Sequence, residues 1–164
     1  MIITAALVIL MLITFVLVFM FVKTIDDRVW LTFLVSILLT PLIYFYGVYP
    51  MINIFSNYHH EKYFTKKLWI DKPALRYELS DNIVSSKILI GQSKNDINKT
   101  LGDYEWLSWD DIKKDHNPNK WNYAMGFEPG AFNSKKECLE LTFKNNKVTE
   151  VKLYKEEHQF DAEK

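Results

Sequence analysis

Two apolar runs of equal length open the chain, and the six residues between them carry every charge in the first fifty. Neither Ile2 to Val22 nor Val29 to Tyr49 contains an acidic or basic side chain. At a rise of ~1.5 Å per residue, either run makes a helix of about 30 Å, the thickness of a bilayer's hydrocarbon core. The expectation is a transmembrane helical hairpin over residues 1–55, with helices at about 2–22 and 29–49, and then a water-soluble remainder.

The flanks sharpen this expectation. A cleaved signal sequence needs a basic start, a shorter apolar stretch and a small-residue cleavage site. Here no Lys or Arg precedes the first run, and it ends Phe21-Val22-Lys23, so retention as an anchor is favoured. The second run opens with Trp30 and closes with Tyr44, Tyr46 and Tyr49, rings that favour the headgroup level. Pro41 is expected to kink this helix, with Thr40 or the partner helix satisfying the freed carbonyl. Pro50 is expected to bend or end it. Lys23 and Arg28 lie in the connecting loop, and Lys62, Lys66 and Lys67 come after the second run. The bare amino terminus followed by Lys23 tips the charge bias towards an outside amino terminus and an extracytoplasmic domain.

The residues after the hairpin suffice for one small domain. Lys plus Arg and Asp plus Glu each number 20, so no concentrated basic face for nucleic acid is expected. Cys138 is the single cysteine, which rules out an intramolecular disulfide or a thiolate metal cage. It is expected as a small strand residue or exposed thiol.

Residues 56–70 are expected to be a polar connector, with the folded domain over 71–155 and a polar tail over 156–164. Asp71 is a plausible N-cap with Pro73 just inside, and Leu75, Leu79 and Ile83 recur at helical spacing. Ser93 can cap a second helix, Asp96 suits its first turn, Ile97 and Leu101 form its apolar face, and Gly102 supplies the stop. Trp106 to Trp109 then reads as strand, Asp110 to Lys120 as a turn-rich loop, and Trp121 to Met125 as strand. In Glu137 to Tyr154, Leu139, Leu141 and Phe143 alternate with polar residues, as do Thr149, Val151 and Leu153. A three-residue loop, Asn145-Asn146-Lys147, pairs apolar with apolar and Glu140 with Lys152. A two-residue loop sets Leu141 against Glu150. A one-residue slip inverts the faces, so the longer loop is expected. The fold class is therefore α+β: two transmembrane helices, then a two-layer domain of two helices packed on one face of an antiparallel sheet.

Residues 89–102, LIGQSKNDINKTLG, with the later WNYAMG (Trp121 to Gly126) and LELTFKNNKV (Leu139 to Val148), resemble the BamE/SmpA-like family of small bacterial envelope domains, related in architecture to β-lactamase inhibitors. The resemblance covers about residues 64–154 and rests on turn, cap and core positions. It implies a non-enzymatic domain facing the bacterial envelope that engages another protein through its sheet and loops. The usual family member is a lipoprotein, whereas this chain carries a two-helix anchor and no lipid-bearing cysteine. Attachment to the inner or plasma membrane is therefore expected, and a role in outer-membrane assembly does not carry over.

No G-x-S-x-G, Walker-type or G-x-G-x-x-G motif occurs, and neither catalysis nor a cofactor is expected. Adjacent His59 and His60 point apart on a short connector, and Asp110, Asp111, Asp115 and His116 lack the spacing and central glycine of a calcium loop; both are expected to be solvated segments without metal. Trp106, Trp109 and Trp121 are divided between core and contact, since Trp is enriched at interface hot spots. The expected partner contacts are Trp106, Trp109, Asp110, Asp111 and His116. The function expected is a membrane-anchored protein-interaction or scaffold module, with lipid held by residues 1–55 and no small-molecule substrate. An inhibitor or immunity protein neutralising a toxin or enzyme is the alternative.

Overall fold

The computed structural model describes residues 1–157, so the expected tail lies outside the described residues from His158 onward. The chain divides into two compact units: residues 1–60 with 129–132, and residues 61–128 with the chain from 133 onward.

In the first unit, α1 spans Ala5–Lys23 and α2 spans Val29–Ile43. Thr4 caps α1, its hydroxyl oxygen accepting from the Leu7 N–H at 3.2 Å. The loop is closed by Arg28, whose backbone and guanidinium both donate to Asp26 and hold that carboxyl down to about 2. Pro41 has no N–H to donate, and three residues later the helix widens into a π turn over Tyr44–Val48. The helix then continues as α3, Tyr49–Phe55. It does not end near Pro50, because that residue sits in the first turn of α3, where its missing N–H is harmless. Nor does Thr40 repair the carbonyl freed by Pro41; its hydroxyl donates to the Ser36 carbonyl at 2.7 Å.

Burial within this helix pair runs opposite to that of a water-soluble helix. Beside Leu7, Val18 and Val22, the buried side chains are Thr14, Thr32, Ser36 and Thr40. Thr14, Ser36 and Thr40 each donate to the carbonyl four residues back, and Thr32 donates to the Asp26 carbonyl at 3.0 Å. The outward side chains are large and apolar: Leu17, Phe21 and Leu38 are 61, 67 and 71% exposed. By length and composition, α1 and the continuous helix Val29–Phe55, which joins α2, the π turn and α3, are each long and apolar enough to cross a membrane.

The second unit begins inside the expected connector. Thr65 caps α4, Lys66–Asp71, and carries Trp69 into the core with no exposed surface. The indole N–H donates to the Leu101 carbonyl at 2.8 Å, Tyr123 meets the ring edge-on, and Arg76 lies 4.3 Å over it. Asp71 therefore ends a helix instead of capping one. A 3₁₀ segment comes next over Pro73–Leu79, with Leu75 outside helical geometry, then α5, Ser80–Ser86. The continuous helix expected from Leu75 to Ile83 is broken where β2 passes close by: a Cβ on Gly126 would overlap the Ala74 carbonyl oxygen. The second expected helix is present as α6, Lys94–Leu101, with a capping box between Ser93 and Asp96 and Gly102 at its end.

Four strands form an antiparallel meander in the order β1-β2-β3-β4: Trp106–Asp110, Asp115–Phe127, Lys135–Lys144 and Lys147–Glu157. The loop expected over 110–120 shrinks to the turn 111–114. Residues 117–119 instead bow out of the ladder between the His116 pairing with β1 and the Lys120 pairing with β3, which is how Pro118 is tolerated in a strand. The β3–β4 hairpin combines features of both candidate registers. Its turn is the two-residue Asn145-Asn146, both at positive φ, and Phe143 pairs with Val148. A bulge at Thr149 then shifts the ladder, so that Leu141 meets Val151, Leu139 meets Leu153 and Glu140 meets Lys152 as expected. One core cluster contains Ile83, Ile97 and Leu101 together with strand residues Trp121, Tyr123 and Leu139.

Candidate functional site

Strand periodicity places Trp106, Asn122, Glu140 and Lys152 in one row across all four strands, on the face opposite the core residues Leu107, Trp121, Leu141 and Val151. On this face lies an open cleft of about 460 Å³, bordered by Trp106, Ser108, Trp109, Glu140, Lys152 and Tyr154 among others.

Its floor is a closed hydrogen-bond network. Asn122, with no exposed surface, donates to Ser108 Oγ at 2.9 Å and accepts from the Tyr154 hydroxyl at 2.9 Å. Ser108 donates in turn to Glu140, whose other carboxylate oxygen takes Lys120 Nζ at 3.2 Å. Lys136 sits 4.7 Å over the Trp106 ring and reaches Glu156 at 3.9 Å. A buried polar group stranded without a partner is costly, and here each partner is supplied by another strand of the sheet. The Glu140–Lys152 pair expected across β3 and β4 is in register, but Glu140 takes Lys120 instead. Among the described residues Lys152 has no ion-pair partner, which leaves its ammonium free at the cleft.

The expected contact residues separate. Trp106 and Trp109 both border the cleft, and Trp109 is 53% exposed with its ring edge-on to His116 at 5.3 Å. His116 itself lies behind Trp109 and points Nδ1 towards the Leu107 carbonyl. Asp110 shapes the hairpin turn, accepting from the Ile112 and Lys113 N–H groups at 3.1 and 3.2 Å. Asp111 reaches only Lys114, at 3.9 Å on an exposed surface. Neither aspartate borders the cleft. Trp121 belongs to the core. Sequence pattern does not single out Ser108, Asn122, Glu140, Lys152 or Tyr154 as site residues; an asparagine in the otherwise apolar stretch Trp121 to Met125 is the available signal.

Two adjacent buried groups of β3 hold their protons more tightly than usual. Burial pushes the Cys138 thiol up to about 11, the opposite of what activates a nucleophile. Burial, reinforced by Glu128, pushes Glu137 up to about 7. No group of three or more His, Cys, Asp or Glu that could hold a metal occurs among the described residues. In the first unit, His60 is packed in an aromatic nest, stacked on Tyr49 at 4.0 Å with Nε2 3.0 Å from the Tyr44 hydroxyl. No family model, curated protein or solved structure matches the chain.

Proposed function

We propose that this chain is a membrane-anchored, non-catalytic interaction module of the bacterial envelope, whose sheet presents the Trp106–Lys152 cleft to a protein partner. Residues 1–55 cross the inner or plasma membrane as a hairpin, and the remainder is a two-layer, BamE/SmpA-like domain on the extracytoplasmic side. The observation that carries this reading is the inverted burial of α1 and α2, hydroxyls inward and Leu17, Phe21 and Leu38 outward. In water such a surface favours association. In hydrocarbon it is the stable arrangement, because inward hydroxyls find backbone carbonyls and small residues let the helices approach.

Support for the two-layer arrangement comes from the core cluster shared by helical Ile83, Ile97 and Leu101 with strand residues. Support for recognition over chemistry comes from the cleft itself. Its carboxylate and amide are already engaged with neighbours, so they stiffen the surface around Trp106 and Trp109 and leave Lys152 to meet an acidic group. Tryptophan with a desolvated polar surround is the composition of an interface hot spot.

A photo-crosslinking residue at Trp109 or Lys152, and at Lys99 as a control, tests this in native membranes. A discrete adduct from the cleft positions, absent at Lys99 and lost on Trp106→Ala, is expected. Equal labelling at Lys99, or no adduct, contradicts it. An adduct identified as a toxin or enzyme would assign the inhibitory role instead of the scaffold. A reporter fused to Lys164 checks the side: activity of a cytoplasm-only reporter contradicts the extracytoplasmic placement.

A further inference from the structure

The 27-residue apolar helix Val29–Phe55 is longer than a bilayer's hydrocarbon core requires. About 20 residues cross ~30 Å, so α3 falls at the headgroup boundary. There it exposes Met51 and Phe55, 64 and 77% accessible. The last carbonyls of any helix lack intrahelical partners. In α3 the Ile52 carbonyl accepts from Ser56, and the Ile54 carbonyl accepts from the Ala131 N–H at 3.0 Å.

Ala131 lies between β2 and β3, yet residues 129–132 belong to the same compact unit as the apolar helices. The sequence here, Pro129-Gly130-Ala131-Phe132, has no charge. Phe132 is 91% exposed. A phenylalanine held almost wholly in water by an ordered loop gains nothing from folding.

We propose that residues 129–132 form a third membrane attachment, in which Phe132 enters the headgroup–acyl boundary of the bilayer beside Phe55 and Met51. The inference rests on the membrane-anchor reading above. Continuity with the apolar helix selects lipid as the occupant: the loop is hydrogen-bonded to the end of that helix, and both present uncharged apolar surface. The loop N–H that would otherwise lose its water on entering this layer is already satisfied by Ile54.

The full chain, with Cys138→Ala, is reconstituted in phosphatidylcholine/phosphatidylglycerol vesicles and spin-labelled at Phe132→Cys, Leu38→Cys or Ile112→Cys. Leu38 lies in the span, and Ile112 is an exposed apolar side chain of the other unit, 95% accessible. The expected result is an oxygen-to-nickel-chelate collision ratio at 132 several-fold above that at 112 and approaching that at 38. A ratio at 132 equal to that at 112, with 38 in lipid, overturns this inference alone. Aqueous ratios at both 38 and 132 overturn the anchor and this inference together. Phe132→Trp in the unlabelled chain gives a second readout that hardly perturbs the loop. Its added emission should be quenched by brominated lipid; unquenched added emission overturns the proposal.

Discussion

The helix pair and the sheet unit differ in what they bury and, more sharply, in what they expose. In the sheet unit the fully buried side chains are mainly apolar, Trp69, Ile83, Leu139 and their neighbours, with few buried polar groups beside them: Asn122 in its bonded network, and Glu78, Ser80 and Glu137. In α1 and α2 the hydroxyls of Thr14, Thr32, Ser36 and Thr40 are inside, and Leu17, Phe21 and Leu38 are outside. One chain thus carries two burial patterns, and the proposed function assigns each to a different solvent. The second pattern is written in amino-acid type as much as in packing. A hydroxyl that donates to its own helix needs no partner from outside, so it can sit where the neighbouring helix approaches closely.

The comparison can be broken most severely at Trp69. Trp69→Ala removes the largest buried side chain of the core and strands the Leu101 carbonyl. It should cost about 3–5 kcal/mol in urea unfolding of the sheet unit while leaving membrane integration of the full chain unchanged. Leu38→Arg should do the reverse. An arginine at the middle of a span costs ~2.5–3.5 kcal/mol on insertion scales, whereas an exposed site in water would register within ~0.5 kcal/mol. The readout is the integrated fraction, with the near-ultraviolet circular dichroism of the sheet unit preserved.

A smaller effect concerns pH. Glu137 is raised to about 7 in the folded chain from an ordinary value of 4.5. The folded state therefore binds the proton more tightly than the unfolded state, and stability from this group is full below pH 4.5 and lost as pH rises through 7. Glu137→Gln should flatten that slope and stabilise the sheet unit at pH 8 by on the order of 2 kcal/mol, measured by urea midpoints across pH. Smallest is Ser93→Ala, which removes the capping box of α6 and should lower stability by ~1 kcal/mol in the same assay, with Ser93→Gly milder.

These regions also differ in how legible they are from sequence. The apolar runs and the α6 capping box can be read because each is decided locally, the runs by unbroken apolar composition and the box by Ser93 meeting Asp96. The β3–β4 ladder is legible in its alternating residues but not in its turn, because the bulge at Thr149 lets a two-residue turn coexist with the apolar register. Trp69 is hidden because the groups that bury it, Leu101 and Tyr123, are remote in sequence. The cleft is half legible. Trp106 and Trp109 stand out as large rings, but Asn122, Glu140 and Lys152 become one row only once the four strands are in register. Asp110 and His116 draw attention for their chemistry, and their hydrogen bonds assign them to the turn and to the flank of Trp109.

Alkaline carbonate extraction of the full-length chain from cell membranes tests the assignment of α1 and α2 to lipid most directly. The account predicts that the protein stays in the pellet and is released only by detergent. Recovery of intact chain in the carbonate supernatant would contradict it.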